Sequence, residues 1–329
     1  MSARGRVLAV CLSEKKGTAK QATAEVELVA GHGVEGDAHA GPGHRQLSVL
    51  DVAAIEEMRS QGLELEFGAF GENIVTEGLA VDALGLGSEV AIGEARLVVT
   101  QIGKTCHDPC AIFHTVGYCI MPERGIFLEV QAGGQVRPGD EVRVVAPIDR
   151  STIQVAIVTV SDRAHRGERE DASGPALREY VEAELGAHVA LERVVPDDHE
   201  AIVEALRDAV ARRGIDLVLT TGRSGCGPRD VTPEATRAVI EREVPGLAER
   251  MRAQSLLKTP HAMLSRTVAG LVGRSLIINL PGSPKGAVEN LEAVREALPH
   301  AVELLRGEAV DCGKAEGKGE GPPPATAAP

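Results

Sequence analysis

Hydrophobic and polar positions alternate in two different rhythms along the chain. Through residues 1–147, short apolar segments recur between glycine-bearing turns: GRVLAVCL, TAEVELVAG, RQLSVL, EVAIGEARLVVTQIG and DEVRVVAP. Two segments share a lead-in, LGLGSEVAIG and VRPGDEVRVV, in which a turn feeds an alternating strand. One helix interrupts them at residues 51–60 (DVAAIEEMRS), with Asp51 as its N-cap. Many short strands, regular turns and little helix predict a β-barrel-like domain.

Residues 148–152 (IDRST) form a polar joint, and from 153 the rhythm becomes strand–helix alternation. IQVAIVTVSD, HVALERVVPDD and IDLVLTTG read as strands. GPALREYVEAELG, opened by Ser173, Gly174 and Pro175, and HEAIVEALRDAVARRG read as amphipathic helices. A further helix is expected over TPEATRAVIERE, with Thr232 as N-cap and Pro233 at its first position. LVGRSLIINLPGSP predicts a hairpin or strand–turn, followed by helix over KGAVENLEAVREALPHAVELL. Such βαβ alternation predicts an α/β domain over 153–306, with a doubly wound, mostly parallel sheet. The remainder, 307–329, is low-complexity and reads as a disordered tail.

Composition narrows the function classes. A 329-residue chain with 43% hydrophobic residues can build two cores, while 2% aromatic residues and no Trp leave few base-stacking surfaces. Net charge is −13 and both halves share it: residues 1–150 carry 13 Lys+Arg against 21 Asp+Glu. An acidic chain without a basic stripe argues against nucleic acid and against membrane surfaces as partners. No apolar run approaches a membrane span, the N-terminus lacks a signal-peptide core, and six cysteines read as reduced thiols. The expectation is a soluble, cytoplasmic protein.

Ligands of doubly wound sheets sit beyond the carboxyl ends of the strands. Here those ends are Ser161-Asp162, Pro196-Asp197-Asp198, Thr220-Thr221-Gly222 and Pro281-Gly282-Ser283-Pro284, predicted to converge on one pocket. Each alone is ordinary α/β punctuation, and Asp198 has the position of a helix cap. Together they suggest a phosphate site: backbone N–H groups of residues 222–227 as a cradle, Thr221 and Ser224 as hydroxyl donors, Arg229 beside them. Asp197 and Asp230 suit Mg²⁺ ligation, or the orienting of a metal-bound nucleotide, better than phosphate contact. No lysine follows the glycines, which argues against a kinase-type loop.

TTGxSGxGxRDVTPEAT, preceded by VSDR and VxPD and followed by LPGSPKG, resembles the MoaB/Mog family of molybdenum-cofactor synthesis over residues 153–306. The resemblance implies adenylylation of molybdopterin by Mg-ATP with release of pyrophosphate, and assembly into trimers or larger oligomers such as hexamers. It implies Asp197 and Asp230 as the functional carboxylates, Gly222, Ser224, Gly225 and Gly227 as the glycine-rich loop, and Gly282, Ser283 and Pro284 as a second binding turn. Where the family loop commonly reads TTGGTG, this chain reads TTGRSG. Arg223 in place of a glycine predicts a backbone that does not need positive φ; its side chain reads as pointing to solvent, the alternative being an added phosphate contact.

In the first half, QIGKTCHDPCAIFHTVGYCIMPERGIF holds Cys106, Cys110 and Cys119, whose spacing does not suit a zinc finger or ribbon. A cysteine near Lys104 and His107 would have thiolate character, fit for a persulfide or a soft metal. Cys119 and Cys11 read as core. GVEGDAHAG followed by RQLSVL, then FGENI, the cysteine loop and a closing PGDEV, resemble the MOSC domain over residues 4–147. That resemblance implies molybdenum-cofactor binding or sulfur transfer, with Cys110 the first choice and Cys106 the second. Arg45, Lys104, His39 and His107 are candidate contacts to a pterin phosphate, with His39 and Arg45 equally readable as structural residues of the barrel rim. Both halves thus point to one cofactor pathway, with a molybdenum-insertion enzyme as a further partner; the alternative is a non-catalytic molybdopterin carrier.

Overall fold

In a computed structural model of the chain, residues 3–103, 113, 117, 119–211 and 214–307 are described. The stretch carrying Lys104, Cys106, His107 and Cys110, and the tail expected to be disordered from 308 onward, lie outside them.

The apolar segments of the first half become β1 (Arg4–Leu12), β2 (Gln21–Thr23), β3 (Val26–Val29), β4 (Gly33–Val34), β5 (Leu47–Asp51), β6 (Ile74–Glu77), β7 (Glu89–Ile92), β8 (Ala95–Ile102), β9 (Ile126–Ala132), β10 (Gly134–Val136) and β11 (Glu141–Ala146). Seven strands close a barrel in the order β11-β7-β8-β9-β5-β6-β1, shut where Arg4, Gly5 and Arg6 pair with Arg143, Val142 and Glu141. Closure leaves no open edge on the ring. Val7, Val49, Ile74, Ile92, Leu97 and Leu128 belong to its core. Helix α1 (Val52–Ser60) starts as the sequence predicts, the Asp51 carboxylate accepting from Ala53 N at 2.8 Å. It lays Ile55 and Met58 on Cys11, Leu50 and Phe127, each large side chain contributing about 1.5–3 kcal/mol by burial. The Cys11 thiol is pushed up to about 12, first by burial and then by the Glu72 charge, in keeping with a core residue. A short helix α2 (Met121–Arg124) precedes β9.

One charge pair is sealed inside this domain. Lys20 Nζ meets Asp37 Oδ2, and each side chain is 1% exposed. Ser13 N and His39 N also donate to Asp37, at 3.0 and 2.9 Å. Burial alone would raise the Asp37 carboxyl, but hydrogen bonds from His39 and Lys20, and from the backbone N–H groups of His39 and Ser13, hold it well below the usual carboxylate range. His39 is therefore engaged with the pair, its Nδ1 3.4 Å from Asp37 Oδ1.

The second half forms one six-stranded sheet of β12 (Gln154–Val160), β13 (His188–Val195), β14 (Leu217–Thr221), β15 (Arg242–Glu243), β16 (Ala269–Val272) and β17 (Ser275–Leu280), ordered β13-β12-β14-β17-β16-β15. The first four run parallel; β16 and β15 are antiparallel additions at one edge. β12, β14 and β17 are buried along their whole length because both faces are covered. Helices α3 (Asp162–His165), α4 (Ser173–Glu184), α5 (His199–Ala211), α6 (Thr232–Arg237), α7 (Pro245–Leu256), α8 (Pro284–Val294) and α9 (Leu298–Arg306) complete the layers. On one face Ala156, Val158 and Val218 meet Ile202 and Leu206 of α5; on the other Ile157, Leu219 and Ile278 meet Leu177, Met251 and Leu291. At the joint, Arg306 reaches back to Ser151 O (2.8 Å) and to both oxygens of Asp216 (2.9 and 2.6 Å), fixing the start of β12.

Three local expectations are corrected. Helix α6 ends at Arg237 rather than running to 243, because Glu241 N and Val244 N donate to Leu271 O and Ala269 O (2.7 and 2.8 Å) and draw the chain into β15. Thr232 does not cap it: its hydroxyl donates to Gly222 O at 2.9 Å. Helix α4 is opened by Asp171, which accepts from Ser173 N and Gly174 N, while the Ser173 hydroxyl is spent on Gly282 O. Asp198 does cap α5, accepting from Ala201 N at 2.9 Å. Helix α7 is an addition to the predicted elements.

Asp37→Asn leaves the Lys20 ammonium buried without a counter-charge, an expected loss of about 3–5 kcal/mol in denaturant unfolding. Since the folded Asp37 value lies below the unfolded one, its stabilisation is complete above the unfolded value and is lost as pH falls towards the folded one. Thermal melts taken from neutral pH downward should show wild type converging on Asp37→Asn in acid.

Candidate functional site

Parallel strands deliver their carboxyl ends to one side of the sheet, and four loops meet there. Gly222, immediately after β14, has φ 104°, and a Cβ at that position would lie 2.5 Å from Val160 O. A Cβ at Gly282, after β17, would lie 3.1 Å from Gly222 Cα. Only glycines let these two turns touch. The hydroxyls predicted as phosphate donors tie the turns together instead: Thr221 Oγ1 donates to Pro281 O at 2.7 Å, and Ser224 Oγ to Leu280 O at 3.4 Å. Ser161 and Ser283 cap α3 and α8, accepting from Ala164 N and Gly286 N (3.2 and 3.1 Å). Below them, Asn279 Nδ2 donates to Thr220 and Thr236 at 2.9 and 2.8 Å, a fully buried brace.

Beside the turns lies a cluster of charges. Asp162 N and Asp197 N each donate to the other's carboxylate at 2.9 Å, a reciprocal clasp between the ends of β12 and β13. Asp197 has a side chain 0% exposed, and its Oδ2 receives both Arg223 Nη2 and, at 2.9 Å, Arg229 Nη2. The same Arg229 nitrogen meets Asp162 Oδ2. Arg223 Nη1 stands 3.6 Å from Asp230 Oδ1, and Asp230 Oδ2 accepts from Gly227 N at 2.8 Å. The expectation for Arg223 is overturned twice. Its φ is 54°, the one positive value at a non-glycine among the described residues, and its side chain turns onto the aspartates. An L-residue in this conformation costs about 1–2 kcal/mol, which charge pairing to a buried carboxylate offsets.

A cleft of about 600 Å³ opens over the turns. Among the predicted site residues, Ser161, Thr221, Gly222, Ser224, Gly225, Asp230, Gly282 and Ser283 line it. Asp162, Asp197, Gly227, Arg229 and Pro284 are not part of that lining, Gly227 and Arg229 being exposed, and Arg45 lies exposed on the barrel ahead of β5. The amino-terminal ends of α4 and α8 both open into the cleft through Ser173 and Ser283, placing two positive helix ends there. The motifs did not point to the opposite wall, built from Arg252, Ser255, Lys258 and His261 on α7 and the turn after it. Pro245 at the first position of α7 is the sequence signal that could have revealed it. Arg266 was missed too: Nε donates to Gly225 O at 2.7 Å, its backbone N to Ser224 O at 2.9 Å, and its other nitrogens to Asp230 O and Glu234. Cys226, exposed in the loop, has Sγ 3.3 Å from Leu264 O.

The pair of carboxylates proposed for Mg²⁺ does not fit that ion in this arrangement. Mg²⁺ requires near-octahedral oxygens at about 2.0–2.1 Å and keeps several waters. The Asp197 side chain is 0% exposed, with its oxygens given to Asp162 N and two guanidiniums, and Arg223 lies between it and Asp230. No group of three or more His, Cys, Asp or Glu side chains suited to a metal occurs among the described residues.

Residues 156–300 match the family model described as a probable molybdopterin binding domain, and residues 35–143 match the MOSC domain. Molybdopterin adenylyltransferase of Escherichia coli K12 is 40% identical over 174 residues, covering 49% of this chain and 89% of the relative. Molybdenum cofactor synthesis protein cinnamon of Drosophila melanogaster is 38% identical over 154 residues, 47% of this chain but only 26% of that longer protein. The crystal structure of the molybdopterin biosynthesis enzyme MoaB from Thermus thermophilus is 55% identical, covering 47% of this chain and 98% of that one with a TM-score of 0.45.

The Arg266 side chain holds two carbonyls of one loop, Gly225 O and Asp230 O, so Arg266→Ala is expected to loosen residues 224–230 although the backbone bond to Ser224 O stays. Unfolding should show a loss of about 1–2 kcal/mol, partial exposure of the guanidinium reducing the value of its charged hydrogen bonds. Amide exchange at Gly225 and Gly227 should quicken while β12 and β14 stay protected.

Proposed function

The chain belongs to the molybdopterin adenylyltransferase family through its second half, and on that premise we propose that it joins AMP to molybdopterin within molybdenum cofactor biosynthesis. The observation that carries this reading is the pair of abutting glycine turns with two helix amino-termini facing one cleft, in a family whose members are named for this reaction. A volume of about 600 Å³ lies within the range of small-molecule sites.

In the proposed step a terminal phosphate oxygen of molybdopterin attacks the α-phosphorus of ATP. The new P–O bond forms as the bond to the β-phosphate oxygen breaks, and pyrophosphate leaves with that electron pair. The attacking phosphate is already ionised, so the protein need supply neither nucleophile nor base; positioning and charge neutralisation suffice. Mg²⁺ enters as part of the Mg-ATP substrate. The ends of α4 and α8, with Ser283 and the backbone around Gly222, Ser224 and Gly225, would meet phosphate. Asp230 would keep the loop in register through Gly227 N. Asp162, Asp197 and Arg229 would act from outside the lining as positioning residues. Lys258 and Arg252 on the far wall would face the second anionic ligand.

The barrel, through its likeness to the MOSC domain, would bind the pterin or the finished cofactor, with Cys110 or Cys106 as a sulfur carrier and Arg45 and Lys104 as anion contacts. Self-association into a trimer or hexamer is part of the proposal, and exposed Leu257, Met263 and Leu264 are apolar surface available to it. One observation favours a second reading, a carrier that holds molybdopterin without turnover: Arg223 already fills the aspartate pair.

Incubation with molybdopterin, ATP and Mg²⁺ is expected to yield adenylylated pterin and pyrophosphate in equal amounts. Asp230→Ala, which lets the loop drift, should lower the rate about 10²-fold. Tight pterin binding with no ATP consumed would decide for the carrier.

A further inference from the structure

The charge cluster contains an arginine where the chemistry of two facing carboxylates leads one to expect a metal. Arg223 reaches this place at a cost, through a positive φ of 54°. Its two terminal nitrogens are shared between a carboxylate that solvent does not reach, Asp197, and one on the cleft wall, Asp230. Its own side chain is 38% exposed and lines the cleft, so the guanidinium touches both the buried acid and the space where an anion would lie. Behind it, Arg229 neutralises Asp162 and the same oxygen of Asp197. A planar guanidinium carries five donors, more than two carboxylate oxygens consume, and cannot lose its charge at ordinary pH.

We propose that Arg223 is the resident cation of this cleft: it holds the Asp197–Asp230 pair closed to divalent metal and presents the remaining guanidinium face to ligand phosphate. The proposal rests on the phosphate-binding reading given above and deepens it, by making Arg223 a ligand-contacting residue that lets the free protein bind polyphosphate without metal. The positive φ follows from this role. The loop turns back at Gly222, and a left-handed residue immediately after it aims the side chain inward across the strand ends.

Two binding experiments on the full chain test this, and neither requires turnover. The first titrates inorganic pyrophosphate calorimetrically in the presence of a chelator. Wild type is expected to bind, and Arg223→Gln to bind at least about tenfold more weakly. Arg223→Lys, which keeps the charge, should recover part of the loss. Equal affinity of wild type and Arg223→Gln would overturn the proposal. The second follows Mn²⁺ by electron paramagnetic resonance without nucleotide. Wild type is expected to give no saturable binding, whereas Arg223→Gly, in which glycine suits the left-handed backbone, should gain a site that Asp230→Asn removes again. Saturable Mn²⁺ binding by wild type through Asp230, or no gain in either Arg223→Gly or Arg223→Gln, would sink it. Pyrophosphate binding that depends on Arg223 alongside an absence of adenylylated product would leave this inference standing and remove the enzymatic reading instead.

Discussion

Burial of the Asp197 carboxylate constrains everything around the cleft. An ionised carboxylate withdrawn from water is tolerated only when donors replace its hydration. Here the donors come from three directions: the backbone of Asp162, and the guanidiniums of Arg223 and Arg229. Those partners sit on the loops after β12 and β14, so satisfying one carboxylate fixes the relative placement of three strand ends. The loop carrying both arginines must close tightly, and Gly222 against Gly282 is the contact that lets it. The left-handed conformation of Arg223 is accepted for the same reason.

The two domains handle buried charge alike. Lys20 and Asp37 in the barrel, and Arg306 with Asp216 at the joint, are withdrawn from solvent and supplied with extra donors or acceptors. Replacing such pairs by apolar groups is often neutral for stability, so their value lies in holding defined loops. Lys20 and Asp37 join the segment after β1 to the turn after β4; Arg306 ties the last helix to the first strand of the second sheet. Arg266 performs the equivalent task with carbonyls, tying Gly225 O and Asp230 O of the glycine-rich loop to one side chain.

Much of this was legible in the residues. Continuous apolar runs announced β12, β14 and β17, because a strand covered on both faces has no polar side to show. Alternation and turn residues announced the barrel strands, and Asp51 and Asp198 declared their helices by local hydrogen bonding. Misreadings arose where a residue had a long-range partner to satisfy. Thr232 looks like a helix cap, yet Gly222 O lies within its reach; residues 241–243 continue a helical pattern, yet an unpaired strand edge lies beside them. Arg252, Lys258 and His261 carry no motif, since their relation to the glycine turns exists only across the fold.

The sequence by itself determined the two-domain order, the parallel strands and their glycine-rich ends, and the family, because these depend on local periodicity and on runs of residues read in order. Tertiary structure alone decided what each polar group does. Thr221 and Ser224 are spent on neighbouring carbonyls, Asp197 is closed over, and Arg223 stands as a cation between two carboxylates. The physical reason is that a hydroxyl or a charge acts on whatever lies within about 3 Å of it. Thr221 finds Pro281, Ser224 finds Leu280 and Asp197 finds Arg229 at 60, 56 and 32 positions' remove along the chain, distances that only folding closes.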